Sequence, residues 1–348
     1  MPRSMVSRRG AVARRAKETL DRATGLDPQG VKTHLAASRY QRLILKNEEL
    51  ANAEVALALQ AAPSDAEVLA SAANGDLRNN QPDSALAKLQ RARDVDPRSF
   101  GTVQQIGNLA AVMGRPADAE EAYSTALVIT PGDLNVTQAL AMQRVRQGKL
   151  DAARAGIRAS IDAGAPATKI AAQFAGRNEV SWVLDERERQ ILYRLTPSAF
   201  DDDRAWWGQS LAMAYWQQGD TVRARAYADS ALALSRKQAE DAPGDAELQG
   251  LYGLVLAQLK RPAEARAAAA RALAIKPDPY DVRRTRAYSI VNASRIELAL
   301  GDYDKALTYL EQLFAEGFGR TGDFFPTDPT YQALRGNPRF EALVAKGI

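Results

Sequence analysis

FGTVQQIGNLAAVMGRPADAEEAYSTALVITP, residues 100–131, contains the clearest copy of a unit that recurs along the chain. Gly107 and Ala119 are small enough for two helices to approach closely, and Gly114 breaks the chain between those helices. Pro131 ends the second helix. The stretch therefore predicts a helix-turn-helix unit. One such hairpin cannot bury its apolar face alone, so copies of it have to stack.

The same unit recurs along the chain with a regular period. The prolines that end a predicted second helix are Pro28, Pro63, Pro97, Pro131 and Pro166, which lie 35, 34, 34 and 35 residues apart. Hydrophobic residues make up 46% of the sequence and charged residues 25%, while runs of Val, Ile and Thr are scarce. This composition and periodicity predict an all-α class and a repeat array.

The spacing, the small residues and the turn pair resemble the tetratricopeptide repeat (TPR) family, and the resemblance covers most of the chain. It implies an α-solenoid of stacked TPR helix-turn-helix repeats with a helical insertion and a C-terminal capping segment. The expected parts are a basic N-terminal segment ending in a half repeat (1–31), a first array of four repeats (32–166), a helical insertion (167–204), a second array of about three repeats (205–316) and a C-terminal cap (317–348).

Some segments depart from the repeat. From residue 167 the period fails, yet Asn178 to Leu195 reads as a helix that joins the two arrays. The second helix of the first repeat in the second array is expected to run through Lys237 towards Pro243. The half repeat indicates either a reading frame that starts inside a longer ancestral array or an irregular substitute for the missing helix in residues 1–15.

The carboxyl end contains two Asx-Pro pairs, Asp328-Pro329 and Asn337-Pro338, which predict the starts of two short helices. This segment looks like the end-of-array segment of bacterial TPR regions attached to serine/threonine protein kinases, and the stretch from Trp182 to Trp207 is similar to their helical insertion. The kinase motifs themselves are absent from the sequence. The resemblance implies a signalling context without phosphoryl transfer.

In TPR folds the first helices line the concave face, and the family resemblance places a peptide-binding groove there. Mapped onto this sequence, it gives candidate groove residues with amide, guanidinium and aromatic side chains: Tyr40, Asn74, Arg78, Gln104, Asn108, Gln138, Arg146 and Trp216. The amides could bond a peptide backbone, and the arginines could hold a carboxylate. In the second array the lining is expected to include Trp206, Gln209 and Met213, while Trp207 is expected to pack. The alternative is that these are merely exposed polar positions.

Enzyme chemistry finds little support in the sequence. There is no cysteine and one histidine, His34, so neither a thiolate site nor an imidazole cluster is available, and no metal or cofactor is expected. Gly317 to Gly322 matches the letters G-x-G-x-x-G but follows a predicted helix, which favours a loop. Asp201-Asp202-Asp203 is expected to cap a helix rather than bind a cation.

The net charge of +4 lies in residues 1–31, which contain seven Lys or Arg against three acidic residues. This segment lacks aromatic residues for base stacking, so nucleic acid is an unlikely partner. No run is apolar enough to span a membrane, and a cytoplasmic location is expected, with a periplasmic or envelope-associated one left open. The first hypothesis is a non-catalytic scaffold that binds a peptide segment of another protein. The alternative is a detached regulatory region of a bacterial serine/threonine kinase system, with a kinase or other signalling protein as partner.

Overall fold

The computed structural model describes residues 3–176, 180–276, 282–318 and 325–347, and within these ranges it has α-helices and no β-strand. The helices are α1 (Arg3–Leu26), α2 (Val31–Tyr40), α3 (Glu48–Ala61), α4 (Ala66–Arg78), α5 (Pro82–Val95), α6 (Phe100–Val112), α7 (Pro116–Ile129), α8 (Leu134–Arg146), α9 (Leu150–Asp162), α10 (Ala167–Ala175), α11 (Glu186–Leu192), α12 (Arg204–Gln217), α13 (Thr221–Asp241), α14 (Ala246–Gln258), α15 (Pro262–Ala274), α16 (Val282–Leu300), α17 (Tyr303–Ala315) and α18 (Pro338–Gly347). None of the described helices is long and apolar enough to cross a membrane.

Three successive first helices begin at equivalent capping residues, which explains why the repeat folds locally. Asp65, Ser99 and Asp133 lie 34 residues apart, and each side chain accepts a hydrogen bond from a backbone N–H in the first turn of α4, α6 or α8. Because a helix leaves its first N–H groups without internal partners, such a cap stabilises the helix start. The same spacing therefore repeats the same helix start.

The turn within each of these hairpins is also repeated. Asn80, Gly114 and Gly148 have φ angles of 56°, 71° and 72°, in the left-handed region that glycine and asparagine tolerate best. Proline at Pro82 and Pro116 then occupies the start of the second helix, where its missing N–H costs nothing. These local choices confirm the predicted helix-turn-helix unit.

The chain forms two compact units, residues 1–130 and residues 131–348. In unit 1 the small residues of the repeat let the helices meet. A methyl group at Gly107 would lie 2.6 Å from Cε1 of Tyr123, so α6 and α7 touch there through a glycine and an aromatic ring. Ala119 and Ala126 are fully buried at the same interface. The finer division into five segments stays a prediction.

The first hairpin of unit 1 is irregular. After α2 the chain makes a π-helical turn over Gln41–Leu45, and Lys46 follows with a φ of 57°. Arg42 is only 9% exposed and donates to Glu48 and Asn52 on α3. Ser38-Arg39 stands in this repeat where the family favours Leu-Gly, and a buried arginine between the two helices accompanies that departure.

α1 precedes this hairpin and packs against α2. The residues of the predicted half repeat, Ala16, Leu20 and Ala23, are partly buried on one face of α1. Their spacing of three and four residues is that of a helix stripe. The described part of the chain thus begins with one continuous helix.

The insertion in unit 2 differs from the expectation of one helix over residues 178–195. Residues 177–179, including Asn178, lie outside the described residues, Ser181–Val183 form a 3₁₀ turn, and α11 begins only at Glu186. The prediction was wrong because Val180 to Leu184 are all at most 3% exposed. Five consecutive buried residues need apolar surroundings on every side, which a one-sided helix stripe does not provide.

The residues assigned to the second array form α12 to α17 in unit 2. α13 runs through Lys237 to Asp241, as the sequence predicted. The linker prolines Pro277 and Pro279 lie outside the described residues. α14 packs against both α15 and α16, and Gly253 permits this because a methyl group there would lie 2.8 Å from the Ile296 side chain.

The carboxyl end closes this array, as predicted. Asp328 caps a 3₁₀ helix over Pro329–Leu334, and α18 begins at Pro338. Tyr331 is fully buried, with its ring centroid 4.4 Å from that of Phe325. Burial raises the pKa of Asp328, whose carboxylate lies 3.8 Å from the buried guanidinium of Arg295. The cap covers apolar surface of α16 and α17.

Candidate functional site

Two asparagines stand one repeat apart on the first helices of unit 1. The Nδ2 of Asn74 donates to the carbonyl of Ala70 in its own helix, at 3.1 Å, so its Oδ1 keeps its acceptor capacity. The Oδ1 of Asn108 accepts from the Tyr123 hydroxyl at 2.8 Å, so its Nδ2 keeps its donor capacity. The pair therefore offers one acceptor and one donor, the complement of a peptide group.

The other candidates in unit 1 have different environments. Arg78 is exposed, but its Nη1 lies 2.9 Å from Oε1 of Glu48, so a carboxylate ligand would compete with Glu48. Tyr40 and Gln104 are half-buried. We name Asn74 and Asn108 together the asparagine row. The assignment of these residues to peptide binding stays a prediction.

Unit 2 contains a groove of about 1260 Å³, which we call the unit 2 groove. It is formed by α8, α10, the segment between α11 and α12, and the first turns of α12, α14 and α16. Its main polar and aromatic lining residues are Asn135, Gln138, Lys169, Gln173, Arg194, Trp206, Asp245, Glu247 and Tyr288. The groove exceeds the roughly 300 to 1,000 Å³ typical of small-molecule sites.

Three amide side chains form an ordered chain along this groove. Gln138 is 6% exposed and donates to the backbone carbonyl of Gln173, and the Gln173 side chain donates back to Oε1 of Gln138 at 3.1 Å. Gln173 also donates to Oδ1 of Asn135 at 3.3 Å. Gln138 thus acts mainly by fixing its neighbours, and Nδ2 of Asn135 and Oε1 of Gln173 keep their hydrogen-bonding capacity.

The lining of the groove carries both signs of charge. Lys169 and Arg194 are exposed and supply positive charge, and Asp201, Asp245 and Glu247 supply negative charge. Within the described part of the chain, neither Lys169 nor Arg194 forms an ion pair. A bound segment would therefore meet both signs of charge.

A smaller pocket of about 230 Å³, which we call the side pocket, shares part of this lining. Its recognition residues are Asp203, Trp206, Gln209, Ser210, Gln238 and Glu247. The Trp206 ring lies edge-on to Phe200, with 5.4 Å between centroids, and a methyl group at Gly176 would be 2.9 Å from its Cζ2 atom. These contacts fix Trp206 as a rigid wall.

The remaining candidates, Arg146 on α8 and the side chains of α12 other than Trp206 and Gln209, do not line the unit 2 groove. Arg146 is half-buried at the end of α8, and Trp216 packs against the cores formed by α14 to α17. Met213 is 1% exposed, so its expected place in the lining was wrong because its face of α12 meets the core. Trp207 packs as expected, with its Nε1 donating to the Leu195 carbonyl at 2.9 Å. Binding by Arg146 and Trp216 stays a prediction.

Other polar groups have structural roles. Oδ1 of Asp203 accepts from two backbone N–H groups at the start of α12, as the helix-capping prediction requires. Nδ1 of the buried His34 lies 2.7 Å from a carboxylate oxygen of Glu54. No group of three His, Asp or Glu side chains within the described ranges could hold a metal ion. Most of the G-x-G-x-x-G stretch, residues 319–322, lies outside the described residues.

The insertion contains one unusual pair of acids. Glu188 is 2% exposed, and burial together with the neighbouring Asp185 carboxylate raises its pKa to about 7. The hydrogen bond from Glu188 and the Arg158 guanidinium, 2.9 Å away, lower the pKa of Asp185 to about 2. Below about pH 7 the protonated Glu188 carboxyl therefore donates a hydrogen bond to the ionised carboxylate of Asp185.

Two family models, both described as tetratricopeptide repeat, match residues 71–133 and 202–278. Both stretches carry tetratricopeptide repeats. Stacked tetratricopeptide repeats form a scaffold for protein–protein interaction, and the helix pairs within each unit have that stacked arrangement.

Several solved structures are similar to the chain. A tetratricopeptide repeat protein from Parabacteroides merdae is 11% identical, with a TM-score of 0.43 and coverage of 91% of this chain and 98% of that one. PilF of Pseudomonas aeruginosa is 16% identical, with a TM-score of 0.39 and coverage of 88% and 96%. The APC/C hetero-tetramer Cut9–Hcn1 is 13% identical, with a TM-score of 0.48 and coverage of 80% and 46%. A search of curated proteins finds no match.

Proposed function

We propose that the chain is a non-catalytic scaffold that binds extended peptide segments of partner proteins, and that each unit has its own binding surface: the unit 2 groove in unit 2 and the asparagine row in unit 1. The observation that supports this most strongly is the groove itself. Its volume suits several residues of extended chain, and its amides and charges of both signs suit a ligand with a polar backbone and charged side chains.

The hydrogen-bonding capacity of the lining agrees with such a ligand. Nδ2 of Asn135 and Oε1 of Gln173 offer a donor and an acceptor held in place by bonds to neighbours. Preorganised side chains lose little rotamer freedom on binding, so more of each hydrogen bond is retained as affinity. In unit 1, Asn74 and Asn108 offer the same combination.

The experiment that tests this proposal is selection of displayed random peptides on the intact chain. Hydrogen exchange of the complex with a selected peptide then locates the site. Slower amide exchange in α10 and at the starts of α12 and α14 would support binding in the groove. Failure to select any peptide, or protection confined to α17, which lines neither the groove nor the side pocket, would reject it.

We propose, as a second candidate, that the partner is a serine/threonine kinase system, which this chain regulates in trans. The support is the sequence resemblance of residues 328–340 to the end-of-array segment of kinase-linked TPR regions, in a segment that folds as a closed cap. Kinase motifs in the neighbouring reading frame would favour this candidate, and an unrelated neighbour would argue against it.

A further inference from the structure

The side pocket has the size of a binding site for one side chain. Its volume of about 230 Å³ lies below the roughly 300 to 1,000 Å³ of typical small-molecule sites. It shares Trp206, Glu247, Leu248 and Tyr288 with the unit 2 groove. The side pocket therefore adjoins the groove, within reach of a side chain from a segment bound there.

The charge of the side pocket is negative. Asp203 and Glu247 line it, and no lysine or arginine does so in the described part of the chain. Glu247 is half-buried in the first turn of α14, and its carboxylate makes neither a hydrogen bond nor an ion pair with any described residue. Partial burial of an unpaired carboxylate is unfavourable, and a cation beside it would offset that cost.

The neutral groups of the side pocket are oriented as acceptors. The Nε2 of Gln209 donates to Ser235, and the Nε2 of Gln238 donates to Asp203, both at 2.9 Å. Their Oε1 atoms keep their acceptor capacity. Ser210 is 3% exposed and lines the same pocket, and its hydroxyl makes no hydrogen bond with any described residue. The pocket therefore favours a ligand rich in donors.

We propose that the side pocket binds the guanidinium group of an arginine side chain from the segment held in the unit 2 groove. The inference rests on the proposed peptide-binding function and adds a sequence requirement to it. Arginine has five N–H donors, matches a carboxylate with two parallel hydrogen bonds, and lies favourably against an indole ring such as Trp206. Lysine has the same charge, but its ammonium group lacks the planar shape and the paired N–H donors of a guanidinium group.

The test uses a peptide selected on the intact chain and four synthetic versions of it. These have arginine, lysine, citrulline or norleucine at the position where selection is most restrictive. Citrulline keeps the shape and removes the charge. Dissociation constants are measured by fluorescence anisotropy with the wild-type chain, with Glu247→Gln and with Glu240→Gln. Glu240 is exposed on α13 and does not line either cavity, so Glu240→Gln controls for net charge.

With the wild-type chain, citrulline for arginine is expected to weaken binding roughly 10- to 100-fold, the range of a charged hydrogen-bonded pair. With Glu247→Gln the same exchange should cost less than about threefold, whereas Glu240→Gln should behave as the wild type. Selected peptides without arginine, or equal affinity of the arginine and citrulline versions, would overturn the arginine site and leave groove binding intact. Failure to select any peptide would overturn both.

Discussion

The hydroxyl of Tyr123 donates a hydrogen bond to Oδ1 of Asn108 at 2.8 Å. Tyr123 is one of the residues that define the repeat, and Asn108 is one of the residues assigned to peptide binding. The same ring also fits against Gly107, the small residue of α6. The packing of α6 against α7 therefore also engages Oδ1 of Asn108 and leaves its Nδ2 with donor capacity for a ligand.

This geometry predicts the effect of removing the asparagine row. Asn74→Ala with Asn108→Ala should weaken binding to a partner that occupies unit 1 by roughly 1 to 3 kcal/mol, because two hydrogen bonds to its backbone are lost. Isothermal titration calorimetry measures this. Gln90→Ala is the control, since it removes an exposed amide from α5, a second helix that carries no residue of the asparagine row. An unchanged affinity in the double variant would reject the row as a binding surface.

A second prediction concerns the fold of unit 1. Gly107→Ala should lower the free energy of unfolding by about 1 to 3 kcal/mol, because the added methyl group would lie within 2.6 to 3.1 Å of three Tyr123 ring atoms. Gly101 lies in the same helix with nothing within 4 Å of an added Cβ, so Gly101→Ala should be neutral or stabilise by up to about 1 kcal/mol. Urea unfolding followed by circular dichroism distinguishes the two. Equal effects would contradict the close approach of α6 and α7.

A third prediction follows from the acids of the insertion. The pKa of Glu188 is raised to about 7 from an ordinary value of 4.5, so between these values the folded chain holds a proton that the unfolded chain releases. Stability from this group is therefore full below pH 4.5 and is lost as the pH rises towards 7. Asp185 has a lowered pKa, and its contribution is lost only as the pH falls from 3.8 towards about 2.

Glu188→Gln should remove that loss, because the amide can donate to Asp185 at every pH. The urea midpoint of the wild type should fall between pH 5 and pH 8. The midpoint of Glu188→Gln should fall less over the same range, because the variant lacks the titrating carboxyl group. Glu186→Gln, on an exposed residue of the same helix, should keep the wild-type slope. Identical slopes in all three proteins would show that Glu188 does not titrate in this range.

The sequence was sufficient for the repeats because their determinants are local and periodic. Asp65, Ser99 and Asp133 begin helices, and Asn80 and Gly114 turn the chain, each through its own backbone geometry. The length of α13 could be predicted for the same reason. By contrast, the insertion from Val180 to Leu184 is held by burial on all sides, and hydrophobic periodicity contains no signal for that arrangement.

The candidate site was predictable only where repeat register decides it. Register places Asn74 and Asn108 one repeat apart, but it does not show which atoms of their amides are already bonded. Gln173 and Glu247 were missed because they lie far apart in the sequence. They line the same groove only once α10 and α14 are in place in the folded chain. An acid such as Glu247 in the first turn of a helix is ordinary, so the sequence offers no sign of its position in a pocket.

If a peptide segment occupies the unit 2 groove, a bulky side chain introduced into the groove should prevent its binding. Thr168 is exposed in the first turn of α10 and lines the groove, whereas Thr221 is exposed in the first turn of α13 and does not. The measurement is the dissociation constant of a selected peptide for Thr168→Trp, Thr221→Trp and the wild type, with equal urea midpoints as the condition for comparison. We predict a loss of about tenfold or more for Thr168→Trp alone. Wild-type affinity in Thr168→Trp would show that the peptide does not occupy the unit 2 groove.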